Sequence, residues 1–173
     1  MEVKMIMDIV KYGSNVLREK SKKIERIDDE IKNLLNNMVE TMQNAQGVGL
    51  AAPQVGVNIR AFVLDIGDGN IRKVVNPEFL EFSEKLVEQE EGCLSIPGVY
   101  KKVKRPESLK IKYLNENGEE VVEEADGLLA RAFQHEYDHL EGVLFVDKIS
   151  PVAKRLVSNK LQKLKRETLK NSK

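Results

Sequence analysis

The 173 residues carry 28 Lys or Arg against 28 Asp or Glu, with 41% apolar and 32% charged side chains, the composition of a soluble globular chain and not of a disordered or fibrous one. One compact domain over residues 1–173 can bury a core of its own at this length, and the single cysteine excludes an intrachain disulfide framework. The start, Met1-Glu2-Val3-Lys4-Met5-Ile6-Met7-Asp8, is too broken by charge for a signal-peptide core and no run approaches the roughly 18 apolar residues of a membrane span, so the chain reads as cytoplasmic with no membrane partner.

The first amphipathic segment runs from about Asp28 to Asn44, with Ile31, Leu34, Leu35, Met38, Val39 and Met42 on one face and Gly47 beyond its end. Next comes Gly47-Val48-Gly49-Leu50-Ala51-Ala52-Pro53-Gln54-Val55-Gly56, which lacks the lysine and hydroxyl residue of a phosphate loop. Its small residues let a backbone approach a ligand, and Gln54 can donate to a carbonyl oxygen. Taken alone, the segment reads as a tight helix-to-strand connection.

Short strands are expected near Ile59 to Asp65, Lys73 to Leu80 and Leu86 to Glu90, then as a hairpin of Leu109 to Leu114 and Glu119 to Glu123 across Asn117-Gly118. Between them, Glu91-Gly92-Cys93-Leu94-Ser95-Ile96-Pro97-Gly98 is turn-rich and holds the chain's one thiol.

Both histidines fall in a single run, His135-Glu136-Tyr137-Asp138-His139. On a helix, positions i and i+4 lie about 40° apart around the axis, so both imidazoles can grip one metal ion. Glu136 projects from nearly the same face, where it can take a proton from metal-bound water without being a ligand. Asp126 is available as N-cap and Gly142 as the residue past the end. Leu128, Ala132, His135 and His139 recur on one stripe, which predicts a half-buried site on a rigid helix. Short antiparallel strands around this helix make an α+β fold.

Two histidines do not complete a metal site. No third histidine exists, Glu141 is too close on the same helix, Asp147 follows it directly and Glu167 lies in a lysine-rich tail. Cys93, in its turn-rich setting, is the remaining ligand. A zinc endopeptidase with an acidic third ligand and a noncatalytic metal-dependent binding module both use the same helix; the second would owe nothing to Glu136.

Ser150-Pro151 opens a final helix over about 151–170, with Ala153, Leu156, Val157, Leu161 and Leu164 as its docking stripe. Residues 151 to 173 hold eight Lys or Arg and one acid, a side-chain charge of +7, so residues 1 to 150 carry −7. A basic end of this kind can meet ribosomal RNA, although a solvated lysine-rich face has the same composition.

In order and spacing, the glycine-rich run ending in Gln54, Glu91-Gly92-Cys93-Leu94-Ser95, and Gln134-His135-Glu136-Tyr137-Asp138-His139 resemble the three signature motifs of the peptide deformylases, most closely the bacterial type 1 enzymes. The resemblance implies removal of the formyl group from the N-terminal formylmethionine of new polypeptides, with metal-bound water attacking the formyl carbon and formate released. It implies one divalent ion on Cys93, His135 and His139, ferrous iron in the cell, with nickel, cobalt or zinc able to substitute. Glu136 would be the general base, and the Gln54 side chain and the Leu94 backbone N–H the oxyanion donors. By position, Val48, Leu128 and Ala132 are candidates for the methionine pocket or equally plain core. Gly49 and Gly92 are expected backbone contacts for an extended peptide. The partners implied are N-formylmethionyl nascent peptides and, through the basic helix, the ribosome; no DNA partner is expected.

Overall fold

The computed structural model describes residues 5–171. Met1–Lys4, the first half of the charge-broken start, and Lys173 of the basic tail lie outside the described residues. The fold is α+β. Its elements are α1 (Asp29–Asn44), β1 (Gly49–Ala51), β2 (Ala61–Leu64), β3 (Arg72–Phe82), β4 (Leu86–Cys93), β5 (Ile96–Pro106), β6 (Ser108–Leu114), β7 (Glu120–Asp126), α2 (Gly127–Leu140) and α3 (Pro151–Asn171), with short 3-10 turns between some of them.

A five-stranded antiparallel sheet in the order β1-β2-β3-β6-β7 carries the core on both faces. Alternation along β2 sorts the residues: Phe62 and Leu64 pack with Phe133 and Leu140 of α2, while Ala61 and Val63 pack with Leu35, Met38 and Met42 of α1. A strand covered on both sides must be apolar throughout, and all four residues of β2 are buried. β4 and β5 form a separate two-stranded ribbon beside this sandwich.

Helix α1 forms as its periodicity predicts. The Asp28 carboxylate caps it by accepting from the Ile31 N–H at 3.0 Å, and Gln46 at φ 57° turns the chain so that the Gly47 N–H reaches the Met42 carbonyl at 2.9 Å. The glycine-rich segment is more than a connection: it contains edge strand β1 and a 3-10 turn, Ala52–Val55.

The strand β5 is absent from the sequence expectation. Its inward positions include Val103 and Arg105, both buried, so an arginine interrupts the apolar alternation that would have marked it. Its partner β4 accordingly runs beyond Glu90 to Cys93.

Helix α2 carries the expected half-buried stripe, with Ala132 and His139 buried and Leu128 open. Its core face is Ala130, Phe133 and Leu140, with Leu129 and Tyr137 packed alongside. The stripe through Leu128 and Ala132 faces a cleft, leaving Leu128 53% exposed. Asp126 occupies the N-cap position without a side-chain capping bond.

On α3 the docking line is Ala153, Val157, Leu161 and Leu164, against Ile96, Val99 and Phe145. Leu156 lies about 100° off that line and is 70% exposed, so it does not belong to the stripe.

Gly142 ends α2 at φ +73°, and a Cβ there would lie 2.6 Å from the Arg18 carbonyl oxygen. Strain and collision add, so Gly142→Ala should cost about 2 kcal/mol or more. A urea midpoint equal to wild type would show that this turn relaxes freely.

Candidate metal centre

Three elements converge on one point. Cys93 ends β4, and His135 and His139 lie one helical turn apart on α2, with donor atoms all within 4.8 Å of one another. Cys93 Sγ is 3.4 Å from His139 Nε2. His135 Nδ1 is 2.8 Å from Glu91 Oε1, which commits that nitrogen to the carboxylate and leaves Nε2 to face the cluster. Two imidazoles and a thiolate at this spacing suit one transition-metal ion with an open position.

Glu91 was not singled out by the sequence reading, although it is two residues from Cys93. It is buried and also receives Arg105 Nε at 2.5 Å, Arg105 Nη2 at 2.9 Å and Arg131 Nη1 at 2.6 Å. Arg131 further donates to the Val87 and Val103 carbonyls at 2.7 and 3.0 Å, and Arg105 reaches Asp138 Oδ2 at 2.9 Å. A rule that a metal-bound histidine donates its second N–H to a carboxylate is the one signal that could have pointed to Glu91.

The two carboxyls near the cluster are pushed in opposite directions. Burial alone would raise Glu91, but its bonds to His135 and Arg105 hold it well below the usual carboxylate range. Glu136 has no such compensation. Burial, aided by the negative charge of Glu91, pushes it up to about 7 against the pull of His135, and its Oε1 is buried without a hydrogen-bond partner among the described residues. Burial would also lower His135, yet its bonds to Cys93 and Glu91 carry it well above the ordinary value, while burial and the neighbouring His135 push His139 well below. A cation on His135 therefore competes with a proton.

Around the cluster, Gln54 accepts from the Ala51 N–H at 2.9 Å and donates to Ser95 Oγ at 3.1 Å, with Cys93 Sγ 3.4 Å from its Nε2. A Cβ on Gly49 would lie 2.5 Å from Glu136 Oε2, so glycine there lets the backbone pass beside the carboxyl. The cluster opens into a cleft of about 430 Å³ whose lining includes Val48, Gly49, Gln54, Gly92, Leu94, Leu128, Ala132 and Glu136. All the side chains and backbone positions expected at the site are thus brought to one place. A larger shallow groove of about 600 Å³ beside Phe82, Leu109 and Leu129 holds none of the ligating groups. The acids weighed as alternative ligands lie elsewhere: Glu141 pairs with Arg60 at 3.2 Å and Asp147 with Arg18 at 2.6 Å.

The profile of the polypeptide deformylase family matches residues 6–155. The peptide deformylase of Fusobacterium nucleatum is 54% identical over 166 residues, covering 95% of each chain. Among solved structures, the peptide deformylase of Thermotoga maritima aligns with a TM-score of 0.83 at 46% identity, covering 85% of this chain and 99% of its own. That of Synechococcus elongatus, in complex with actinonin, aligns with a TM-score of 0.85 at 42% identity, covering 89% and 87%.

The raised Glu136 gives a stability test. Its unfolded carboxyl ionises from about 4.5, while the folded one stays neutral until about 7. The resulting cost to the fold grows as pH rises between these values and levels off above 7, at about 3 kcal/mol. In metal-free protein, Glu136→Gln should raise the melting temperature more at pH 8 than at pH 5. An equal gain at both would remove the buried ionisation as the cause.

Proposed function

The chain belongs to the polypeptide deformylase family, hydrolases that remove the formyl group from peptide N-termini, and we propose that it acts on N-formylmethionyl nascent chains with one divalent ion held by Cys93, His135 and His139. The observation that carries this reading is the Glu136 carboxyl, buried, with one oxygen unpartnered, beside the point where the three donors converge. The donor set suits ferrous iron in the cell, and equally nickel, cobalt or zinc. When bound, the ion supplies Lewis acidity and a hydroxide nucleophile at neutral pH.

The chain's own residues do the rest. Glu136 takes the proton of the attacking water and returns it to the departing amine nitrogen, so that formamide and water become formate and a free amine. Burial helps here, because a carboxyl near 7 can both accept and give back a proton at cellular pH. Gln54 Nε2 and the Leu94 N–H donate to the oxygen on which negative charge develops; losing one such donor typically costs about a hundredfold. Val48, Leu128 and Ala132 wall the pocket for the methionine side chain. Gly49 on β1 and Gly92 on β4 offer main-chain groups from the two edge strands that bound the cleft. Glu141 and Asp147 are committed to arginines, so nothing favours an endopeptidase with an acidic third ligand.

Formate release from formyl-Met-Ala-Ser should be abolished by a chelator and restored by nickel. Glu136→Ala should keep its metal by elemental analysis while losing at least about a hundredfold in turnover, whereas Cys93→Ser should lose metal. Chelator-insensitive release, or loss of metal from Glu136→Ala, would overturn the assignment.

The exposed basic side of α3 is the part that meets ribosomal RNA. Lys163, Arg166 and Lys170 are exposed, whereas Lys160 donates to the Gly98 carbonyl at 2.6 Å and serves the cleft wall instead. Reversing Lys163, Arg166 and Lys170 to Glu should weaken ribosome cosedimentation and flatten its salt dependence. Formate release from the free tripeptide should stay near wild type. Unaltered cosedimentation at low salt would make this charge a solvated surface only.

A further inference from the structure

The two oxyanion donors come from different segments of the chain. Gln54 lies in the 3-10 turn after β1, and Leu94 stands with Ser95 in the turn that joins β4 to β5. A Gln side chain ends in a carbonyl oxygen and an NH2 group, and only the second can donate to a developing negative charge. The Ala51 N–H decides which end is which, because it donates to Gln54 Oε1 at 2.9 Å. Nε2 then has two hydrogens to place. Ser95 Oγ accepts one at 3.1 Å, which leaves the other on the side of Cys93 Sγ, 3.4 Å away, and so toward the cluster. Gln54 and Ser95 are 1% and 0% exposed, so bulk water cannot stand in for the hydroxyl.

Ser95 is itself fixed from a third direction. Its carbonyl accepts the Tyr12 N–H at 2.8 Å, and the Gln54 carbonyl accepts the Val10 N–H at 2.7 Å. The stretch from Val10 to Tyr12 therefore ties the backbones of the two donor segments, while the bond from the amide to the hydroxyl ties their side chains. A two-residue hairpin tip becomes a fixed support in this way.

We propose that Ser95 is a positioning residue for the reaction: its hydroxyl takes one N–H of Gln54 so that the other is aimed at the oxygen on which charge develops. This rests on the deformylase reading above. Ser95 also follows Leu94 directly, so one hairpin tip supplies the second donor and orients the first. Without the hydroxyl, the amide keeps its Ala51 bond and can turn about it. Donors of this kind work by being in place before the charge appears, so a small rotation removes much of their effect. The carbonyl of the bound substrate asks far less of them than the transition state does, and the loss falls on kcat.

The test is a double-substitution cycle on nickel-loaded protein with formyl-Met-Ala-Ser as substrate. Ser95→Ala should keep its nickel by elemental analysis and its KM near wild type, while kcat falls about tenfold, a part of the roughly hundredfold expected when a donor is lost outright. In a Gln54→Ala background the same substitution should cost about twofold or less, because no amide is left to aim. Ser95→Gly, which also lacks the hydroxyl, should show the same coupling to Gln54. A residue that only supports the fold gives an equal fall in both backgrounds. That equal fall, a wild-type kcat for Ser95→Ala, or loss of its nickel would overturn the positioning role while formate release by the wild type keeps the deformylase reading intact. No release by the nickel-loaded wild type would overturn both.

Discussion

One buried carboxylate holds the site together. Glu91 sits on β4, two residues before Cys93, and receives hydrogen bonds from Arg105 on β5 and from Arg131 and His135 on α2. The thiol and the two imidazoles come from parts of the chain that share no backbone ladder, so their spacing is only as rigid as the contact between ribbon and helix. Glu91 is the hub of that contact, and the bonds from Arg131 to the Val87 and Val103 carbonyls and from Arg105 to Asp138 reinforce it. Removal of Glu91 would leave two guanidinium groups buried with one anion fewer, the kind of loss that costs about 3–5 kcal/mol. The same bonds fix which nitrogen of His135 faces the cluster, so packing and chemistry rest on one side chain.

The division of labour between Glu91 and Glu136 follows from their surroundings and not from their type. Both are buried glutamates near His135. Two arginines and an imidazole keep the first ionised, whereas the second has an oxygen with no partner among the described residues and is driven toward neutrality. Environments that separate two like groups in this way also separate their roles, one as a fixed support and one as a proton carrier.

Much of this was legible in the order of residues. The H-E-x-x-H run, the amphipathic α1 and the hairpin at Asn117-Gly118 are local signals, complete within a dozen residues, and each lies where its pattern places it. What sequence hid was long-range. Arg105 looks like one more surface cation among Lys101, Lys102 and Lys104 until Glu91 is seen opposite, and that hidden pairing also concealed β5. Periodicity on α2 showed an apolar stripe through Leu128 but could not say that a second face, through Phe133 and Leu140, takes the core while the first faces a cleft. Leu156 on α3 misled for a similar reason, since an apolar residue near a stripe reads as part of it until the contacts are known.

The bond from Lys160 to the Gly98 carbonyl joins residues 62 positions apart. Gly98 lines the cleft, and Ile96 and Val99 beside it pack against Val157 and Leu161 of α3. Chains are made from the N-terminus onward, and their early parts can fold while the rest is still being synthesised. The helix with both histidines is therefore finished before the segment that braces the opposite wall of the cleft. During its own synthesis the enzyme passes through a stage in which every group of the cluster exists but the wall beside it is unsupported. The brace from Lys160 to Gly98 can form only after α3 has followed α2 out of the ribosome.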